Sequence, residues 1–199
     1  LDPAFVRRFD RKICVGLPNT EERVRFLKYY LDKHSIKTIS NETIENIALR
    51  TIGYSPAKLE MVVELAIRNA KGTDVTDDIL EESIDIDANG KERKWSEEYI
   101  KQTSYHEAGH TLVSYLCGKK PTFVTNVSRG DYGGYMMSEV DETKGSSTKQ
   151  DILDRICCCL GGRAAEIIKY GKNAGINTGA SGDLAQATEH ARTIVSIYG

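Results

Sequence analysis

The chain has 199 residues, a net charge of −2, 40% hydrophobic and 28% charged residues, which is the profile of a soluble globular protein of one domain or two small ones. So small a charge gives no bulk electrostatic reason to bind nucleic acid, and no apolar run is long enough to span a bilayer. The five cysteines, three of them adjacent at positions 157–159, resemble no disulfide framework and read as small core residues in a reducing compartment, with a redox-sensitive neighbour of a metal as the alternative.

Residues 1–18 read as the tail of something larger. Arg7, Arg8, Arg11 and Lys12 form a basic cluster that leads into a short strand and a break at Gly16-Leu17-Pro18. Four helices are expected next, over 19–86. Thr20 caps the first, with Glu21 and Glu22 in its first turn, and it runs to about Lys33. Ser40 opens the second, with Ile44, Ile47 and Ala48 on one face. Ser55-Pro56 starts the third, serine as cap and proline at the first helical position, ending at Lys71-Gly72. Thr76 opens the fourth, to about Ile86. The polar stretch 87–95 reads as a linker, and 96–199 as a second unit.

The second unit opens on a helix from Ser96 to Cys117, with Ser96 as cap, Glu97 and Glu98 in the first turn and Gly118 beyond the end. It carries His106-Glu107-Ala108-Gly109-His110. Residues four apart on a helix share a face, so two imidazoles can address one point, as two ligands of a tetrahedral zinc ion must. Glu107 follows the first histidine directly, where metalloproteases of this signature keep the general base that takes a proton from the attacking water. Two of the chain's four histidines fall at this chelating spacing.

A strand over Phe123–Val127 and a second over Gly134–Ser138 follow. The second is the candidate edge for pairing with an extended peptide: Gly133 and Gly134 permit close approach, and Met136 or Met137 suits a tolerant apolar pocket. An ordinary short hairpin is the competing reading. Thr148 and Asp151 cap a long helix ending at Tyr170-Gly171, and a last helix starts near Ser181. A third zinc ligand is needed, and two acids compete: Glu166 on the long helix, and Asp183 at the start of the last, where it equally suits the helix dipole. Spacing alone does not separate them. The fold class expected is mainly α with a small β-hairpin.

Five segments, in this order, resemble the FtsH-type ATP-dependent zinc proteases. Leu1-Asp2-Pro3-Ala4 through Arg8-Phe9-Asp10-Arg11 is similar to the end of that family's second region of homology, and Thr51–Leu59 to its lid motif. Tyr105–His110 resembles its protease motif, and Leu160–Glu166 and Thr178–Leu184 two later ones. The resemblance implies a helical AAA lid at 19–86 and a zinc-peptidase domain at 96–199 that continues beyond Gly199 in the family. It implies Asp183 as third ligand, with Glu166 supporting a histidine. Gly134, Tyr135 and Met136 become the substrate strand, preceded by the family's Arg-Gly at Arg129-Gly130.

The resemblance also implies that Arg8 and Arg11 reach a neighbouring subunit's nucleotide, although the Pro-Gly pair of the family's arginine loop is missing here. Pro56 and Lys58 likewise stand where the family's lid motif has glycine and aspartate. No phosphate loop occurs in the chain, so ATP and Mg²⁺ belong to a full-length parent. That parent is expected to be a membrane-anchored homo-hexamer with this part on the cytoplasmic or equivalent reducing side. Its partners would be polypeptide substrates, with no nucleic acid. An inactive assembly module of such a protease and a zinc hydrolase of small molecules are the alternatives.

Overall fold

The computed structural model describes residues 13, 15–130, 132–142 and 144–198. Arg8 and Arg11 lie outside them. Ile13 and Val15–Leu17 are in no strand, contrary to the expectation for the N-terminal segment.

Four helices form the N-terminal part: α1 (Thr20–Lys33), α2 (Asn41–Arg50), α3 (Pro56–Ala70) and α4 (Asp77–Asn89). The caps of the last three are Ser40, Ser55 and Thr76, each accepting a backbone N–H three residues on. The first differs from expectation. Asn19, not Thr20, is the cap, because Asn19 and Glu22 form a reciprocal box: the Asn19 side chain accepts from Glu22 N at 3.0 Å and Glu22 Oε2 accepts from Asn19 N at 2.9 Å. α4 runs on to Asn89, past the expected end at Ile86, and stops where Gly90 takes φ 83°. One apolar cluster joins the four helices, with Leu27 and Leu31 from α1, Ile47 from α2, Leu59, Val62 and Val63 from α3, and Leu80 and Ile84 from α4.

The C-terminal part is α5 (Glu97–Leu116), β1 (Pro121–Thr125), β2 (Tyr135–Ser138), α6 (Lys149–Ala174) and α7 (Ser181–Thr193), followed by a π-helical turn at Ile194–Tyr198. The strands pair antiparallel with Thr125 opposite Tyr135, Val124 opposite Met136 and Phe123 opposite Met137, and an irregularity lies between Pro121 and Phe123. This is the mainly helical fold with a small hairpin that the sequence predicts. α6 is interrupted at Gly171, whose φ of 77° and ψ of 170° break the helix where the Tyr170-Gly171 stop was expected. Among the described residues no helix is long and apolar enough to cross a membrane.

α5 and α6 pack through glycines. A Cβ on Gly109 would sit 2.4 Å from the Gly161 carbonyl oxygen and 2.6 Å from Ala165 Cβ, so neither helix tolerates a side chain at the crossing. Helix-interior glycines cost about 1 kcal/mol each relative to alanine. Here they set the depth at which α6 lies beneath the histidine face.

Candidate metal centre

α5 presents His106 and His110 one turn apart, both largely buried, with Glu107 and His110 only 6% and 8% exposed. His106 Nε2 and His110 Nε2 lie 2.9 Å apart. Asp183 Oδ2 is 3.0 Å from the first and 3.4 Å from the second. Ligands about 2.0–2.1 Å from one tetrahedral ion are separated by about 3.3 Å, close to this triangle.

The opposite ring nitrogens fix which lone pairs are free. His110 Nδ1 donates to the Cys158 carbonyl at 2.6 Å, which leaves its Nε2 as the acceptor-type nitrogen facing the triangle. His106 Nδ1 faces Glu166 Oε2 at 3.6 Å. Glu166 is 3% exposed and that oxygen has no hydrogen bond, an orphaned acceptor that a donating imidazole would satisfy. Gly162 closes the far side: a Cβ there would lie 2.5 Å from His110 Nε2 and 2.6 Å from His106 Nε2. The pocket between the imidazoles and α6 therefore exists only because residue 162 has no side chain. Two imidazoles, one carboxylate and a space kept open by glycine fit a zinc ion.

Asp183 comes from the first turn of α7, whose N-cap Ala180 makes no side-chain cap bond. Its carboxylate turns to the histidines. Burial opposes its ionisation, but hydrogen bonds and charge from His106 and His110 outweigh burial and hold the carboxyl well below the usual range. Burial pushes the Glu107 carboxyl up, opposed by the two histidines, which moves it in the direction a general base near neutral pH requires. The structure thus brings His106, Glu107, His110, Asp183 and Glu166 together.

These groups line a cleft of about 810 Å³ that also includes Gly134, Tyr135 and Met136. Gly134 does permit close approach, though to the protein itself: its Cβ would meet the Thr125 carbonyl oxygen at 2.5 Å and Glu107 Cγ at 3.0 Å. The Tyr135 hydroxyl points the other way, donating to Asp85 of α4 at 3.0 Å. On the far side of Glu107 an apolar groove of about 650 Å³ runs between α5 and β1, lined by Ala108, Leu112, Tyr115 and Val124.

The motif reading named Gly109, Gly161 and Gly162 without a role and did not reach the Cys158 carbonyl. Their signal was available as glycines inside two helical patterns, which demand a packing reason. Cys158 and Cys159 border the cleft, nearer the metal-site reading than the core reading of the cysteines.

Comparison with known proteins agrees with this geometry. Residues 93–199 match Peptidase family M41. The whole chain is 41% identical to an ATP-dependent zinc metalloprotease FtsH of Mesomycoplasma conjunctivae, covering 27% of it, and 41% identical to one of Mycoplasmopsis pulmonis, covering 28%. It is 39% identical to one of Rhodococcus erythropolis, covering 24%. The chain thus spans about a quarter of the length of these relatives. With the family's match over more than half its length, and a partly buried His-His-Asp triangle beside a glutamate inside the matched region, the chain belongs to peptidase family M41, the zinc metalloproteases of FtsH type.

Proposed function

We propose that this chain carries the hydrolytic centre of an ATP-dependent zinc endopeptidase that degrades unfolded or membrane proteins. The observation that carries the reading is the meeting of His106 Nε2, His110 Nε2 and Asp183 Oδ2 within 3.4 Å of one another, next to the buried Glu107, in an open cleft. His106, His110 and Asp183 would hold the zinc, with Glu166 and the Cys158 carbonyl orienting the imidazoles. A zinc ion bound there supplies Lewis acidity toward a water molecule and the scissile carbonyl. Glu107 accepts the proton of the attacking water on its carboxylate and returns it to the leaving amine nitrogen. β2, with Gly134, Tyr135 and Met136, offers its backbone to an extended substrate.

In the same reading 19–86, which holds α1–α3 and most of α4, is the lid of an AAA ATPase, joined through 87–95, which takes in the last turn of α4, to the peptidase domain at 96–199. ATP and Mg²⁺ act in the full-length parent, a membrane-anchored hexamer whose peptidase part faces the cytoplasm or an equivalent compartment. Arg8 and Arg11 would serve the neighbour's nucleotide in trans.

The direct test is Glu107→Gln, assayed for zinc by mass spectrometry and for cleavage of an unfolded protein. Zinc is expected to stay at one per chain while cleavage falls by about 10³-fold or more, the scale of lost acid–base and electrostatic assistance. Cleavage retained by the zinc-loaded variant would remove Glu107 from the reaction.

A further inference from the structure

The two-stranded sheet that borders the cleft is held from behind by α2 and α4. At its centre is a cluster drawn from four elements. Arg50, at the end of α2, pairs with Asp85 of α4, with their side chains 3% and 15% exposed. Tyr135, the first residue of β2, donates its hydroxyl to the same Asp85 oxygen at 3.0 Å, and the Arg50 guanidinium reaches that hydroxyl at 3.5 Å. The Phe123 ring of β1 covers the guanidinium, 3.7 Å from ring centroid to Cζ, and stands 5.4 Å from the Tyr135 ring. An ion pair internal to the α1–α4 bundle is thus roofed by one aromatic from each strand. A guanidinium stacked on an aromatic face and a phenol donating to a carboxylate are both directional contacts, which fix orientation as well as distance.

Two further ties hold the segments that flank the strands. Beyond the C-terminal end of β2, Glu142 accepts from Thr20 N, Thr20 Oγ1 and Arg23 Nη1 of α1, each at 2.9 Å, and Arg23 is fully buried. Between the strands, Arg129 reaches Glu82 of α4 at 3.5 Å. On the cleft side, the residue preceding Tyr135 is Gly134, packed against Glu107. The placement of β2 beside Glu107 is therefore set jointly by α5 and by the α1–α4 bundle.

We propose that Tyr135, Asp85, Arg50 and Phe123 form a positioning latch through which the α1–α4 helices set the place of β2, and hence of bound peptide, relative to Glu107. The proposal rests on the reading of the cleft as a protease site with β2 as its substrate strand. None of the four side chains need touch the scissile bond; they act through the strand. A shift of α2 against α4 would move the strand with it, giving the bundle a mechanical route to the hydrolytic centre.

The test is steady-state hydrolysis of an unstructured fluorogenic peptide by the zinc-loaded full-length enzyme, with Tyr135→Phe and Phe123→Leu. Each removes one contact of the latch and keeps an apolar side chain. Both variants are expected to keep zinc at the wild-type stoichiometry and to raise KM about five-fold, the scale of one net hydrogen bond, with kcat within about two-fold. Val63→Ala, which loosens the bundle core away from the sheet, is the control for stability alone and should lower Tm without raising KM. Unchanged KM in both latch variants, or an equal rise in Val63→Ala, overturns the latch. If the wild-type enzyme cleaves no peptide, the protease reading fails on its own, and amide exchange then judges the latch. Tyr135→Phe should speed exchange at Met136–Ser138 about five-fold and leave α5 unchanged; equal exchange in variant and wild type overturns it.

Discussion

The two halves of the molecule bury different things. In α1–α4 the core cluster is dominated by aliphatic side chains: Leu27, Ile47, Leu59, Val62, Val63 and Leu80 are at most 1% exposed, and the buried polar groups of this half, such as Arg23 and Arg50, are paired. In α5–α7 the buried side chains include Thr103, Glu107, His110, Ser114 and Glu166, and the helices meet through Gly109, Gly161 and Gly162. The first half is held by removal of apolar surface from water, a term that needs no partner of defined chemistry. The second half buries groups that are costly unless paired, and its helices approach closely enough to bring backbone and carboxylate to the imidazoles. The large apolar cluster lies in one half and the candidate chemistry in the other.

The sharpest way to break this contrast is to fill the glycine pocket. Gly162→Ala places a methyl 2.5–2.6 Å from both Nε2 atoms, so zinc affinity is expected to fall about 100-fold, at the upper end for residues that shape a metal site from behind. Competition with a fluorescent chelator reads this directly, and far-ultraviolet circular dichroism should show the helices intact. Unchanged affinity would mean that α6 yields at no cost and that the glycine packing does not define the site.

The converse change is in the aliphatic half. Leu59→Ala, at a position with no exposure, should cost about 2–5 kcal/mol of unfolding free energy while zinc affinity stays within about two-fold. Denaturant titration with a parallel zinc assay checks it. A large loss of zinc with this variant would show that the two halves do not separate in this way.

The smallest effect expected concerns the tie between the halves. Burial raises the Glu142 carboxyl, but hydrogen bonds from Arg23 and Thr20 outweigh it and hold its pKa below the ordinary 4.5. A depressed carboxylate pKa adds stability above the ordinary value and loses it as pH falls through the folded one. Glu142→Gln should therefore lower Tm at pH 7 by about 2–4 °C, near 1 kcal/mol for a partly solvated pair in a chain of this size. The gap between wild type and variant should close as pH falls below 4.5. A gap that is constant with pH would assign the effect to packing.

Much of the architecture was legible because its signals are local. Ser40, Ser55, Thr76, Ser96 and Thr148 were readable as caps because a cap is a contact between residues three apart, and all five accept that bond. Thr20 was misread as a cap although the true cap is equally local: Asn19 and Glu22, three residues apart, form the box, while the Thr20 hydroxyl bonds to Glu142, 122 residues away. Tyr135 was legible as a strand residue. Its hydroxyl's choice of Asp85 over the cleft was not, since that depends on how the hairpin lies on α2 and α4.

By itself the sequence indicated the helix that carries His106, Glu107 and His110, through the Ser96 cap, the acidic first turn and Gly118, and on that helix a spacing of four puts both histidines on one face. It also narrowed the third acid to Asp183 or Glu166. Spacing alone went no further, and the family resemblance implied Asp183; the tertiary structure puts Asp183 within 3.0–3.4 Å of both Nε2 atoms and Glu166 behind the His106 ring at Nδ1. The physical reason is that each position follows from how α6 packs on α5 and α7 on α6, and the first of these packings runs through glycine contacts between helices distant in sequence.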